Sequence, residues 1–119
     1  MDGRQDLKKR TSDFALRIIH MYTELPGHAV AQVLGNQVLR SGTSIGAHYR
    51  EAFRAKSNAD FVNKIEGALQ ELDETDYWLD LLQRGGIFSE TQLSDLRSET
   101  DELTSIFVSI AKKTKSIGE

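Results

Sequence analysis

The 119-residue sequence contains no cysteine, which excludes a disulfide framework and thiolate chemistry and fits the cytosol. It contains one proline, Pro26, so long stretches run without a helix breaker. No apolar run approaches the roughly 20 residues that a bilayer span needs, so no membrane partner is expected. The opening residues MDGRQDLKKR carry charge but no apolar segment, unlike a secretory signal. No composition shift divides the chain, and these absences predict one cytoplasmic domain over residues 1–119.

What is present is an ordinary globular mixture, 39% hydrophobic and 28% charged. The net charge of −3 weighs against strong non-specific nucleic-acid binding. The charges are uneven, however. Between Gly27 and Ser57, Arg40, Arg50, Arg54 and Lys56 stand against Glu51 alone, a balance of +3. Between Asn58 and Phe88, Lys64 and Arg84 stand against seven acids, a balance of −5. Such asymmetry predicts complementary faces, within one chain or between chains.

The hydrophobic period is helical throughout. Leu7, Thr11, Phe14, Ile18, Met21 and Leu25 follow steps of three and four, and Pro26-Gly27 ends the run. Phe61, Ile65, Ala68, Leu72, Thr75, Leu79 and Leu82 repeat the rhythm, as do Leu93, Leu96, Thr100, Leu103, Phe107, Ile110 and Ile117. Ser57 to Asp60 and Ser89 to Gln92 read as capping boxes, and Gly85-Gly86 as a left-handed helix stop. The spacing predicts helices over about 5–24, 28–55, 58–84 and 89–116. Short loops between them predict an all-α, antiparallel, up-and-down four-helix bundle.

The second segment differs from the others. Gln37, Ser41, Ser44, His48 and Glu51 form a polar stripe beside an apolar one, Val30, Leu34, Val38, Ile45 and Ala52, which is expected to face the core. Gly42 and Gly46 lie close by, where another backbone could approach. The third segment has a matching second stripe of Lys64, Gly67, Glu71, Glu74 and Trp78, with Tyr77 next to it. A solitary bundle needs one apolar stripe per helix and a solvated back. Tryptophan and arginine set among carboxylates are typical interface anchors, so Arg40, Ser44, Glu51, Lys64, Glu71, Glu74 and Trp78 are the expected contacts between copies of the chain.

Catalysis finds no constellation. There is no Glu-x-x-His repeat for a di-iron centre, and Arg40-Ser41-Gly42-Thr43-Ser44-Ile45-Gly46 lacks the spacing and lysine of a phosphate loop. His48 and Glu51, one turn apart, are the nearest approach to a zinc pair and read better as a hydrogen-bonded contact. No enzyme activity, cofactor or metal is expected. RNA is a candidate partner through Arg50, Arg54 and Lys56, Lys8 to Arg10, and Lys112, Lys113 and Lys115. A protein partner is the alternative, with Glu66, Asp73 and Asp80 as an acidic docking stripe.

The blocks Leu39-Arg40-Ser41-Gly42-Thr43-Ser44-Ile45-Gly46-Ala47, Tyr49-Arg50-Glu51-Ala52, Asp60-Phe61 with Lys64, Glu71 and Asp73-Glu74-Thr75, and Tyr77-Trp78-Leu79 carry a resemblance. The chain resembles, from Asp6 to about Lys113, the family of four-helix bundle proteins encoded in intervening sequences of bacterial 23S ribosomal RNA genes. It departs at His48, where asparagine is usual, and at Gln70, where lysine is common. The resemblance implies an antiparallel bundle assembled as a ring-like homopentamer. A related branch, the accessory proteins of diversity-generating retroelements, is strongly basic and binds nucleic acid and a reverse transcriptase.

Overall fold

The computed structural model describes residues 3–118, apart from the side chains of Arg4 and Gln5. These residues form four helices, α1 (Gly3–Thr23), α2 (Ala29–Ala52), α3 (Asn58–Arg84) and α4 (Glu90–Gly118), and no strand. None of the helices is long and apolar enough to cross a membrane.

The ends follow local chemistry. After Pro26-Gly27, His28 caps α2 by accepting the Ala31 N–H at Nδ1, 3.3 Å away. The box that opens α4 is reciprocal: Ser89 Oγ accepts the Gln92 N–H at 3.1 Å, and Gln92 Oε1 accepts the Ser89 N–H at 2.8 Å. At α3, Ser57 Oγ accepts the Asp60 N–H, but Asp60 reaches past the cap to the Lys56 N–H. Only one of the two stop glycines is left-handed. Gly86 takes φ +78°, while Gly85 stays right-handed, and the Ile87 N–H closes back on the Leu82 carbonyl at 3.0 Å. Helix α2 stops at Ala52, short of the expected 55, because Phe53, Arg54 and Ala55 turn their N–H groups to carbonyls three residues back.

The apolar stripes meet in one core. Phe14, Ile18, Val38, Ile45, Ile65, Leu72, Leu79, Leu82, Leu93, Leu103 and Phe107 are essentially without solvent contact. Thr11, Thr75 and Thr100 are fully buried on the same seams. Each satisfies its hydroxyl on the carbonyl four residues earlier, at 2.7, 2.8 and 2.8 Å. Two seam ends escape burial: Val30 is 61% exposed and Ile117 is 79% exposed. Ile117 lies in the last turn of α4, whereas Val30 is turned off the core face, since Ala31 in the same turn is fully buried.

Helices α2 and α3 share the most extensive contact, followed by α3 with α4 and α1 with α2. The glycines of α2 are used in the last of these. A Cβ on Gly42 would stand 2.8 Å from Ile18 Cγ1, and one on Gly46 would stand 3.0 Å from Thr11 Oγ1. They admit α1 of the same chain, rather than marking an outer surface.

Helices α1 and α4 touch sparsely and are joined by charge. Arg10 donates through Nε and Nη2 to the two oxygens of Glu99, both at 2.7 Å, and through Nη2 to Glu102 at 2.8 Å. The Arg10 hydrogen bond holds the Glu99 carboxyl below its usual value of 4.5, against the opposing effect of burial. A carboxyl depressed by folding stabilises the native state fully above its unfolded pKa, and the benefit fades as pH falls through the folded value. Arg10→Ala is therefore expected to lower stability near neutral pH by about 1 kcal/mol. The gap from wild type should narrow in acid, as chemical denaturation at a series of pH values would measure. A gap that is constant with pH would remove the role given to this pair.

Candidate assembly seam and basic end

The polar stripes of α2 and α3 face each other across the largest helix contact. As the residue number climbs on α2 it falls on α3, so Arg40 meets Glu71, His48 meets Gly67, and Glu51 meets Lys64. Glu71 is buried, its side chain 10% exposed, with Arg40 Nη1 at 4.0 Å and His48 Nε2 at 3.7 Å. Glu74, one turn on, titrates above its usual range because it shares a hydrogen bond with Glu71. Burial and the Glu71 charge reinforce this, and Arg40 opposes it. Deeper in, Thr75 Oγ1 lies 2.9 Å from Ser41 Oγ.

Gly67 makes room for an imidazole. A Cβ there would come within 2.9 Å of His48 Nδ1, a buried atom with no hydrogen-bond partner. Glu51 Oε2 is 3.9 Å from Nδ1 and 4.0 Å from Lys64 Nζ. Ser44 is turned inward on its own helix, donating to the Arg40 carbonyl at 2.6 Å. Trp78 is half-buried against the core, and the exposed ring of Tyr77 lies 5.0 Å from it. Of the residues expected between copies, Arg40, Glu51, Lys64 and Glu71 thus have partners across α2 and α3 of one chain, while Ser44, Glu74 and Trp78 meet groups of their own helix. Among the described residues no group of three or more His, Asp or Glu side chains is placed to hold a metal ion.

The basic residues gather elsewhere. Two clefts share Phe53 and Phe61 where α2 turns into α3. One, of ≈ 590 Å³, is closed by Leu7 of α1 and by Ile106 and Ile110 of α4. The other, of ≈ 480 Å³, runs past Lys56 and Asn58 to Thr114 and Ile117. The start of α1, the turn between α2 and α3 and the end of α4 therefore lie together. Lys8 Nζ stands 5.1 Å over the Phe53 ring, and Lys56 lines the second cleft. Arg50 and Arg54 are exposed, with Arg50 Nη2 donating to Ser12 Oγ at 3.1 Å. Lys112 and Lys113 are exposed on α4 outside both clefts. Lys115 is 2.7 Å from Glu66 Oε1, which offsets its charge.

Periodicity could not single out the Phe53–Phe61 ridge, because Phe61 falls on a core seam and Phe53 lies beyond the end of α2. The Arg10 link was equally hidden, since its partners are 89 and 92 residues away.

The model of a protein family described as 23S rRNA-intervening sequence protein matches residues 4–109. The chain belongs to this family. The match includes the polar seam, Arg50, Arg54, Lys56 and both phenylalanines, and ends before Lys112, Lys113 and Lys115. Among solved structures, a Bacteroides thetaiotaomicron protein with unknown function from the S23 ribosomal protein family is 40% identical. The match covers 92% of this chain and 97% of that one, with a TM-score of 0.85. No curated protein matches the chain.

Proposed function

We propose that this protein is a non-catalytic, cytoplasmic homo-oligomer that holds RNA at its basic end. The observation that carries this reading is the convergence of Lys8 and Lys56, distant in sequence, around Phe53 and Phe61, with Arg54 exposed in the same turn as Lys56. Clustered lysine and arginine neutralise phosphates and release counterions, and a ring multiplies each patch by its subunit number. The chain runs up and down, antiparallel, an arrangement supported by the inverse numbering of partners across α2 and α3. The ring of five follows the family resemblance. Assembly is supported by apolar side chains that the core leaves out: Leu16, Val30 and Val33 are each more than 60% exposed, and Tyr77 is 55% exposed. Arg40, Ser44, Glu51, Lys64, Glu71, Glu74 and Trp78 remain the proposed contacts, the charged groups acting after their intrachain pairs are satisfied.

A protein partner is the second reading, favoured by the acidic side of the bundle. There Asp76 is pushed up first by burial and then by Asp101, with Asp80 and Asp73 adding and Arg97 opposing. A basic partner would relieve that repulsion.

Native mass spectrometry of the protein purified from its own cells tests both parts at once. A five-subunit mass with retained RNA is expected, and Trp78→Ala is expected to shift the population to smaller species. A wild-type protein found only as single subunits overturns the assembly. A five-subunit mass that carries a protein and refuses added RNA overturns the RNA reading.

A further inference from the structure

Helices α1 and α4 scarcely meet, and next to the Arg10 link the gap between them opens into a groove of ≈ 470 Å³. Its floor is core: Met21 of α1, Phe88, and Leu93 and Leu96 of α4 are all buried yet line the opening. Leu16 stands at the edge, 62% exposed, an apolar side chain that the chain's own core does not use. Arg17, His20 and Glu24 of α1 and Asp95 of α4 form the rim. Two helices with an apolar floor between them and charges along both banks make a groove into which a third helix can lay one apolar stripe. Water leaves the floor and Leu16 when such a stripe docks, which favours binding.

We propose that the α1–α4 groove receives an amphipathic helix of another protein, apolar along its docking stripe and basic along its flanks. The occupant is argued from charge. Arg10 and Arg17 stand against four carboxylates, Glu24, Asp95, Glu99 and Glu102. Arg10 is engaged by Glu99 and Glu102, Arg17 acts on Glu99 as well, and His20 Nε2 lies 2.9 Å from Glu24. The surplus is negative, so it draws a lysine- or arginine-flanked helix and repels an acidic one or a nucleic-acid strand. A second copy of this chain, with its net charge of −3, is the poorer match. The groove is opposite in sign to the basic end, and the inference stands whether or not RNA binds there.

The test titrates the full chain with a labelled helical peptide of about 18 residues, one leucine stripe flanked by lysines. A copy carrying glutamate for each lysine serves as the comparison, at one low salt concentration. The lysine form is expected to bind about tenfold more tightly. Leu16→Gln, which alters an exposed side chain, should weaken its binding about tenfold. Glu24→Gln combined with Asp95→Asn should weaken it about fivefold. Asp73→Asn, at an exposed acid of α3 outside the groove, should leave it unchanged. In protein with isotope-labelled methionine methyls, the Met21 signal, assigned through Met21→Leu, should shift as the lysine peptide is added. Circular dichroism and sedimentation of each variant accompany the titrations. Equal binding of the two peptides, or binding of neither, overturns the inference. So does binding unaltered in the groove variants, an equal response to Asp73→Asn, or a Met21 signal that stays in place. A Leu16→Gln variant that changes subunit number places a sister chain in the groove and also overturns it.

Discussion

On the proposed RNA reading, reversing Arg50 and Arg54 to glutamate together is expected to lower RNA affinity by about 100-fold at roughly 0.1 M salt. Both guanidinium groups are exposed, and Arg50 donates a hydrogen bond to the Ser12 hydroxyl. The fold therefore loses little when they change, and helicity and subunit number should persist. Each phosphate contact removed also removes the entropy of counterion release. The logarithm of affinity should thus fall less steeply with the logarithm of salt concentration than in wild type. Repulsion from the new carboxylates adds to the loss, and the proposed ring would repeat it once per subunit. Fluorescence anisotropy over a salt series measures both quantities. Undiminished binding would take these two residues out of the interface, and an unchanged slope would show that they never touched phosphate.

The second large effect concerns the core that supports this end. Phe107 has no solvent exposure, and its ring meets Tyr49 edge to face at 5.5 Å. Tyr49 in turn meets Phe53 at 5.0 Å, so the three rings link the middle of α4 to the base of the cleft. Removing a buried phenylalanine forfeits its transfer free energy and leaves a cavity, about 3–5 kcal/mol in all. That is a large share of the ~5–15 kcal/mol that holds a domain together. Phe107→Ala is expected to melt about 12–20 °C lower than wild type. The comparison is made by calorimetry at equal protein concentration, because the proposed assembly would make melting depend on it. An unchanged melting temperature would mean that the ring is not packed in the core.

How far the sequence could be read depended on the range of the interaction. Four helices were legible because a three-four apolar period is a property of consecutive residues. The Ser89 cap and the Gly86 stop were legible for the same reason, since their hydrogen bonds close within five residues. The end of α2 was not. Nothing local forbids helix at Phe53, and the chain leaves it where the ring meets Tyr49 edge to face and lines a cleft with Phe61. The α2 glycines could be seen as sites of close approach, but the approaching group, Ile18 or Thr11, is set by how α1 folds back.

The candidate seam shows the same division. Its residue types and their stripe could be read at helical spacing, because a helix places residues three and four apart on one face. Their partners could not. Arg40 and Glu71 are 31 positions apart, and the register that brings them within 4.0 Å belongs to the packing of two helices. Residue order alone thus specifies the helical class, the core stripes and the charge that each stretch carries. Packing of the helices selects which charges pair inside one chain, gives the space at Gly67 to His48, and brings the basic segments to one end with two phenylalanines. The physical reason is distance along the chain: periodicity encodes what a helix presents, and packing alone selects what it is presented to.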